Sequence, residues 1–509
     1  MTTSTLPSNN LNDLVYLVDQ IREQANGLLD EESRGKKGQF MTPASAAQLL
    51  AKMFRNLSGD LKILDAGAGV GSLTAALVER SLSEFQPTSL YVNAWELEGV
   101  LVENLNKSFL HCQEACADLD VIWGSQINQI DFIQSAADIL KARASGHEAA
   151  TFNKAILNPP YLKIAASSIE RQNLRSVGVE TGNLYSSFVA LSLMLLEDGG
   201  ELVAITPRSF CNGPYFTDFR RVLLDNNNLS KLHVFESRTK AFKGDKVLQE
   251  NIVFHIIKGE KQGRVEITSS NCAEDHEPNT RIAEFNEVVN SNNPDRFIHI
   301  VTNDEQAEIA KLIGGMPCSL VDLGISASTG KVVDFRTRSN LRHDPEDGTV
   351  PLIYPMHFNN CMIEYPVESK KKPNAILLND DTQKLLVPNG IYVLTKRLSS
   401  KEETRRIVAG LYSPELADVE LVGFENKTNY FHADGKPLEA SLAKGLWVYL
   451  NSNFVDQYFR QFNGHTQVNA TDLRTLRYPS REQLICIGQK VKKFDQETFN
   501  FLIEQLLHK

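Results

Sequence analysis

The sequence contains no pair of cysteines in CxxC spacing, which excludes the commonest zinc and redox motifs. Its 7 cysteines are scattered, so neither a disulfide framework nor a metal site is expected. No apolar run approaches the ~18 residues that a membrane-spanning helix needs. The first ten residues, MTTSTLPSNN, lack the basic start and apolar core of a signal peptide. We therefore predict a cytoplasmic protein without a metal ion.

Acidic residues outnumber basic ones, and the formal net charge is −10. The excess is confined to one part of the chain. Residues 316–509 contain 24 Lys and Arg against 23 Asp and Glu, whereas residues 1–315 contain 29 against 40. The C-terminal part therefore lacks the acidic excess that would repel a polyanion, although net charge alone is a weak indicator.

Short β-rich runs alternate with amphipathic helical stretches between residues 61 and 258, which predicts an α/β fold with a doubly wound, mostly parallel sheet. Seven strands are predicted, at residues 61–66, 89–95, 121–124, 154–157, 201–206, 232–236 and 251–258. The clearest helical periodicities cover residues 11–29, 43–56, 182–196 and 215–224.

The regular alternation stops after residue 258. Residues 260–300 are rich in Asn, Asp, Glu and Ser, which indicates a hinge or a surface excursion. Prolines and short strand-like runs follow, and the chain ends in a helical stretch, 481–508. We predict two domains, residues 1–300 and a mixed, irregular domain at residues 301–509.

A glycine-rich run, DAGAGVG at 65–71, follows the first predicted strand and precedes a helix. Glycines at Gly67, Gly69 and Gly71 let the backbone approach a ligand, and Asp65 can hold the loop or a ligand ammonium. The spacing is GxGxG and not the dinucleotide pattern GxGxxG, which favours S-adenosylmethionine over NAD. A tight packing turn is the alternative interpretation.

Acidic residues also follow the second and third predicted strands. Glu96 lies where a carboxylate can accept both ribose hydroxyls of a cofactor, and Glu98 is a rival for this role. Asp131 can accept an adenine amine, and Phe132 can pack on the adenine ring.

The motif Asn158-Pro159-Pro160-Tyr161 directly follows the fourth predicted strand. The exocyclic nitrogen of adenine is a poor nucleophile because its lone pair is delocalised into the ring. The Asn158 side-chain oxygen and the Pro159 carbonyl can bind both amine hydrogens and direct the lone pair toward a methyl donor. The prolines keep the loop rigid, and Tyr161 can stack on a base rotated out of the duplex.

The order of these motifs, with KKGQFMTP at 36–43, DAGAGVG at 65–71, WELE at 95–98 and NPPY at 158–161, resembles the gamma class of N6-adenine DNA methyltransferases, TaqI-like enzymes of type II restriction–modification systems. The resemblance covers roughly residues 35–260. It implies a Rossmann-like methyltransferase domain that uses S-adenosylmethionine.

The resemblance also implies roles for residues outside the two main motifs. Phe40, Thr42 and Pro43 match the segment that caps the methionine end of the cofactor. Phe242 is the counterpart of an aromatic residue that sandwiches the flipped base, with Phe235 as the second choice.

The C-terminal domain corresponds, by the same resemblance, to a target-recognition domain. Residues 464–480 are rich in amides, hydroxyls and arginines. We expect Gln467 and Asn469 to contact bases and Arg474 and Arg477 to contact phosphates. A loop that is merely hydrogen-bonded within the protein is the alternative.

The expected function is sequence-specific methylation of double-stranded DNA by a monomer, which protects host DNA from a cognate endonuclease carried on a separate chain. Methylation of N4 of cytosine, or of an RNA or protein amide, is the alternative activity. A binding subunit without catalysis is a further alternative, against which the intact motifs argue.

The run GGMPC at 314–318 resembles the Pro-Cys loop of cytosine C5 methyltransferases, in which a cysteine attacks the ring. Cys318 lies far beyond the predicted sheet, and the two glycines more naturally end a helix. We therefore do not expect Cys318 to be a nucleophile.

Overall fold

The computed structural model describes residues 13–28, 41–235, 250–273, 275, 278–289, 294–369, 371–399, 403–463 and 466–507. The chain forms two compact units, Met1–Thr302 and Asn303–Lys509, which we call unit 1 and unit 2. Across the described ranges, none of the helices combines the length and the apolar character needed to span a bilayer.

Unit 1 is built on one sheet, and the described residues contribute nine strands to it. Their spatial order is β3-β2-β1-β4-β5-β7-β6-β8-β9. The strands are β1 (Gly59–Ala66), β2 (Pro87–Trp95), β3 (Ile122–Asn128), β4 (Phe152–Leu157), β5 (Leu196–Pro207), β6 (Asn227–Phe235), β7 (Asn251–Lys258), β8 (Arg264–Ser270) and β9 (Asn279–Glu284). The first five strands in chain order pair in parallel, and β7 runs antiparallel between β5 and β6.

Helices cover both faces of this sheet, as a doubly wound fold requires. They are α1 (Leu14–Leu28), α2 (Ala44–Met53), α3 (Ser72–Glu84), α4 (Gly99–Ala117), α5 (Phe132–Ala144), α6 (Ile169–Ser176), α7 (Leu184–Leu195), α8 (Thr217–Leu224) and α9 (Phe285–Val288). Neighbouring strand residues point to opposite faces. Ile63 and Val203 pack with α1 to α4, whereas Leu64 and Ala204 pack with α5 and α7.

The expectation of seven strands is wrong, because the described sheet has nine. The additional strands β8 and β9 lie within residues 260–300, where the sequence predicted a hinge or a surface excursion. β8 pairs in parallel with β6, and β9 pairs antiparallel with β8 at the edge of the sheet. Edge strands carry many exposed polar residues, so their composition resembles that of a loop.

The order of strands reverses between β1 and β4, which lie side by side although two strands separate them in the sequence. The loops that leave β1 and β4 turn to opposite faces of the sheet, and a crevice opens between them. In open α/β sheets ligands bind in this crevice, at the carboxyl ends of the strands. The glycine-rich run and the NPPY motif both begin there.

Unit 2 contains two sheets, ordered β10-β20-β17-β18-β14-β13 and β11-β15-β12-β19-β16. The predicted mixed character is confirmed, and strands occur within the predicted strand-like runs, although the pairing of these strands into two sheets was not predicted. The strands are β10 (Ser326–Thr329), β11 (Leu341–Arg342), β12 (Thr349–Ile353), β13 (Phe358–Asn359), β14 (Met362–Ile363), β15 (Ala375–Leu377), β16 (Val387–Pro388), β17 (Tyr392–Lys396), β18 (Ala409–Tyr412), β19 (Leu421–Phe424) and β20 (Thr428–His432).

The helices of unit 2 are α10 (Asp304–Gly314), α11 (Ala440–Leu450), α12 (Asn453–Phe462), α13 (Ala470–Thr475), α14 (Arg481–Lys490) and α15 (Gln496–Leu507). The predicted single helical stretch 481–508 is therefore two helices. Asp495 caps the second helix by accepting the backbone N–H of Thr498 at 2.8 Å, which starts a new helix instead of continuing the first.

Two glycines allow α11 and α14 to cross in direct backbone contact. A Cβ atom on Gly445 would lie 1.9 Å from the carbonyl oxygen of Leu484, and one on Gly488 would lie 1.9 Å from that of Ser441. Neither position has room for even a methyl group, so any larger residue forces the two helices apart.

Candidate active site

A pocket lies at the carboxyl ends of β1, β2 and β4, where open α/β sheets bind their ligands. Its lining combines apolar side chains with a few polar groups: Met41, Thr42, Gly67, Ala68, Gly69, Val70, Ser72, Leu73, Trp95, Glu96, Leu97, Leu101, Ile130, Asp131, Phe132, Asn158, Pro160 and Phe188.

The glycine-rich loop forms the floor of this pocket and depends on glycine for its backbone shape. Gly67, Gly69 and Gly71 all have positive φ angles, of 76°, 59° and 89°. Residues other than glycine rarely adopt positive φ angles. A Cβ atom on Gly71 would also lie 2.8 Å from Leu105, so that glycine permits close packing against α4.

Glu96 is the buried acidic group of the pocket, with a relative exposure of 7%. One carboxylate oxygen accepts the backbone N–H of Gly69 at 3.0 Å, and the other accepts those of Leu97 and Glu98 at 2.8 and 2.9 Å. Burial raises the pKa of Glu96, and these three hydrogen bonds oppose the increase. Glu96 thus holds the glycine-rich loop and also faces the pocket.

Asp65, the other predicted acidic ligand, is fully buried at the end of β1 and does not line the pocket. One carboxylate oxygen accepts the hydroxyl of Thr74 at 2.6 Å, and the other has no hydrogen-bond partner in the described residues. Burial raises the pKa of Asp65 to about 7, and the nearby charge of Glu96 adds to the increase. The carboxyl group therefore ties the end of β1 to α3, the two elements that the glycine-rich loop connects.

The raised pKa of Asp65 predicts a pH-dependent cost to stability. The folded protein holds the Asp65 proton more tightly than the unfolded chain, whose carboxyl has a pKa near 3.8. Stability therefore falls as pH rises from about 4 to about 7, and the cost is fully present above that range. Asp65→Asn removes this cost, which is at most about 4 kcal/mol at about 1.4 kcal/mol per pKa unit.

The measurement is the melting temperature of both proteins across this pH range. The melting temperature of the variant minus that of the wild type should increase from pH 4 to pH 7 and then level off. A difference that stays constant across this pH range would show that folding does not raise the pKa of Asp65.

The residues that follow β3 form one wall of the pocket. Asp131 lines the pocket, and its carboxylate accepts the backbone N–H of Gln134 at 2.9 Å as the N-cap of α5. The ring of Phe132 packs edge-on against Trp95, with centroids 5.3 Å apart. Ile130 is 53% exposed, so its side chain is available to cover a bound ring.

Asn158 lies at the pocket with its amide held from both ends. Its Nδ2 donates to the hydroxyl of the buried Thr42 at 3.0 Å. Its Oδ1 accepts the hydroxyl of Tyr161, also at 3.0 Å. Burial raises the pKa of Tyr161, so this hydroxyl stays protonated as a donor. An amide oxygen has two lone pairs, so Oδ1 can accept a further hydrogen bond from a substrate.

The structure gathers most of the predicted unit 1 residues around this pocket, with some exceptions. Pro43, Pro159 and Tyr161 lie beside it but do not line it. Phe40 and Phe242 lie outside the described residues. Phe235 is buried in β6. The sequence reasoning gave no lining role to several apolar residues of the pocket: Met41, Leu97 and Pro160, which lie within the quoted motifs, and Leu101, Ile130 and Phe188, which lie outside them.

The four predicted DNA contacts of unit 2 are engaged within the protein. Arg474 donates to the carbonyl oxygen of Ala327 at 2.7 and 3.1 Å. Arg477 donates to the carbonyl oxygen of Met316 at 2.9 Å and also to that of Pro317. Both guanidinium groups tie distant parts of unit 2 together.

The two predicted amide readers are similarly occupied. Asn469 is the N-cap of α13 and forms a reciprocal capping box with Asp472. Gln467 Oε1 accepts a hydrogen bond from Arg397 at 3.4 Å. These bonds match the alternative interpretation, a loop hydrogen-bonded within the protein, and the four DNA contacts stay a prediction.

Cys318 lies in unit 2, where its backbone exchanges hydrogen bonds of 3.0 and 2.7 Å with that of Tyr478. It does not belong to the pocket of unit 1. Within the described ranges, no group of three or more His, Cys, Asp or Glu side chains is placed to hold a metal ion.

Comparisons with known proteins were made on the sequence and on the fold. The family model for the Eco57I restriction-modification methylase matches residues 82–242. The type IIL restriction-modification enzyme MmeI, solved in complex with DNA, has a TM-score of 0.54 at 12% identity, covering 95% of this chain and 69% of that chain. At this identity the likeness shows the fold alone.

Two relatives are similar over nearly their full length. The type II methyltransferase M.PstI of Providencia stuartii is 54% identical over 497 residues, 97% of each chain. M.BsuBI of Bacillus subtilis is 44% identical over 504 residues, 98% of this chain and 99% of that one. The chain belongs to the family of type II DNA methyltransferases of restriction–modification systems, which confirms the resemblance inferred from the motifs.

Proposed function

We propose that this enzyme transfers a methyl group from S-adenosylmethionine to N6 of an adenine that has been rotated out of double-stranded DNA. The observation that carries the proposal is the orientation of Asn158. Thr42 and Tyr161 hold its amide so that a hydrogen-bond acceptor lies at the pocket that contains the glycine-rich loop and Glu96.

The charge of the pocket supports S-adenosylmethionine, which is a cation at its sulfur. The carboxyl group of Glu96 faces the pocket and that of Asp65 is buried nearby, and neither has a cationic side-chain partner in the described residues. Glu96 would accept the ribose hydroxyls, while Ile130 and Phe132 would cover the adenine ring. When bound, the cofactor supplies an electrophilic methyl group on a positively charged sulfur.

The residues of the NPPY motif would act on the target amine. Asn158 Oδ1 and the carbonyl of Pro159 would accept its two hydrogens, which favours a pyramidal nitrogen with its lone pair directed at the methyl group. The amine gains one methyl group and releases one proton to water, so atoms and charge balance. Tyr161 would keep the amide oriented and contact the extruded base.

The two parts of the chain would have different roles. Residues 1–300 would carry the transfer, and residues 301–509 would recognise the DNA sequence. The enzyme would act as a monomer, and a cognate endonuclease on a separate chain would cut the same site when it is unmethylated.

The test is expression in a host that lacks DNA methylation, followed by sequencing that distinguishes N6-methyladenine, N4-methylcytosine and C5-methylcytosine. We expect N6-methyladenine at every copy of one short motif. N4-methylcytosine or C5-methylcytosine at a fixed motif, or unmodified DNA from cells that contain folded enzyme, would contradict the proposal.

Thr42 provides a test of how the Asn158 amide is positioned. Thr42→Val keeps the shape but removes the hydroxyl that accepts from Asn158 Nδ2, so the amide loses one restraint on its orientation. We expect kcat to fall about tenfold, as for the loss of one hydrogen bond worth about 1–1.5 kcal/mol. Thr42→Ser should restore most of the rate, and KM for DNA should change little. Equal rates for the valine and serine variants would contradict the positioning role.

A further inference from the structure

A short segment of unit 2, Lys331 to Asn340, presents an aromatic ring to solvent. It contains two consecutive 3₁₀ turns, Asp334–Arg336 and Arg338–Asn340. The side chain of Phe335, in the first turn, is 77% exposed. A single exposed apolar side chain is common on protein surfaces, so its meaning depends on the groups that surround it.

Two arginines accompany the exposed ring. The guanidinium of Arg336 lies 5.5 Å from the centre of the Phe335 ring, and Arg338 is exposed in the next turn. In the part of unit 2 that the structure describes, neither guanidinium forms an ion pair or donates a hydrogen bond. Those of Arg474 and Arg477, in contrast, donate to backbone carbonyl oxygens of the same unit.

Firm anchoring gives this segment a defined conformation. Asp334 accepts hydrogen bonds from the hydroxyl of Tyr354 at 2.7 Å and from the ammonium of Lys372. The buried Thr337 donates its hydroxyl to the carbonyl of Val333 at 3.1 Å. Phe335 lies between these two fixed residues, so the backbone that carries its ring is already ordered. Little backbone conformational entropy is therefore lost when the ring binds a partner.

The charge around the ring favours a polyanion. Asp334, the single acidic residue of the segment, is neutralised by Lys372. Exposed lysines at 331 and 371 add to the two arginines. A protein partner would need to bring acidic groups to this surface, whereas the DNA backbone provides them at regular spacing.

We propose that residues 331–340 form a DNA-contacting element, in which Phe335 packs against bases while Arg336 and Arg338 bind phosphates. The inference rests on the proposed function and extends it by naming where unit 2 touches its substrate. An apolar side chain can contact thymine methyl groups or an opened base step, and arginines bind phosphate through paired N–H groups.

The aromatic contact is tested with Phe335→Ala and Phe335→Leu in the full-length enzyme. The probe is a short duplex that carries the mapped methylation motif, and binding is measured by fluorescence anisotropy. We expect about a tenfold weaker affinity for the alanine variant and near wild-type affinity for leucine, which keeps an apolar side chain. Phe501→Ala, at another exposed phenylalanine of unit 2, is the matched control and should bind as wild type.

The phosphate contacts are tested with the double variant R336Q/R338Q. The slope of log affinity against log salt should become shallower by about 0.9 for each phosphate that the variant no longer binds. The same change is expected on a duplex without the motif, because phosphate binding is independent of sequence. K490Q/K493Q removes two exposed lysines elsewhere in unit 2 and should leave the slope unchanged.

The outcomes separate this inference from the proposed function. If the wild type methylates N6 of adenine while the Phe335 and arginine variants keep wild-type affinity and salt dependence, the DNA-contacting element is overturned and the proposed function stands. If the wild type methylates a different atom but the variants still bind duplex DNA more weakly, the proposed function is overturned and the DNA-contacting element stands. Melting temperatures equal to that of wild type confirm that the variants are folded.

Discussion

Asn158→Ala is expected to reduce methyl transfer by roughly 10²–10³-fold, because it removes a preorganised acceptor from the position of the target amine. The side chain is partly exposed at the pocket, so the fold should survive. The binding of S-adenosylmethionine, measured by calorimetry, should remain close to that of wild type. Transfer is measured as tritium incorporated from labelled cofactor into motif-containing DNA.

Cys318→Ser is the control that separates the amine mechanism from a nucleophilic cysteine. Its activity should stay near that of wild type, since Cys318 contributes backbone hydrogen bonds in unit 2. A C5 enzyme would lose its nucleophile in this variant, and its wild-type form would make a covalent adduct with fluorocytosine DNA. A wild-type rate for Asn158→Ala, or an inactive but folded Cys318→Ser, would refute the proposed mechanism.

Glu96→Ala is expected to weaken the binding of S-adenosylmethionine by roughly 1.5–3 kcal/mol, or about 10- to 150-fold, because a charge-assisted acceptor is removed. The carboxylate also holds the backbone N–H of Gly69, so the floor of the pocket loses one of its restraints. Titration calorimetry of the purified enzyme gives the affinity directly.

Glu98→Ala is the matched control, since sequence alone left Glu98 as a rival for the same role. Glu98 lies two residues away at the start of α4 and does not line the pocket. Its replacement should change the affinity less than twofold. If Glu98→Ala weakens binding and Glu96→Ala does not, the two assignments must be exchanged.

Much of the candidate site could be predicted because its residues follow strands. Gly67, Glu96 and Asn158 come directly after β1, β2 and β4, and the carboxyl ends of neighbouring parallel strands meet at one edge. A residue's place in the sequence is then enough to bring it into the pocket. The same logic cannot tell how deeply a side chain is buried, and Asp65 lies beneath the loop instead of facing the pocket.

The prediction was weakest where the decisive partner is distant in sequence. Arg474 has the composition of a phosphate ligand, but its partner is the carbonyl of Ala327, 147 residues earlier. Nothing in the local sequence indicates that contact. The strands β8 and β9 were missed for a similar reason. β8 pairs with β6, which is not its neighbour in the sequence, and β9 is an edge strand whose exposed polar residues resemble those of a loop.

The glycine contact between α11 and α14 has a consequence for how such an enzyme can acquire a new target site. Because Gly445 and Gly488 admit no side chain, this crossing tolerates almost no substitution, and selection must keep it constant. The exposed side chains of Phe335, Arg336 and Arg338 lie under no comparable steric constraint. If they contact DNA as proposed, these three positions can change while the scaffold stays the same. Random mutagenesis of unit 2 should recover folded variants with altered DNA recognition from these three positions and almost none from the helix crossing.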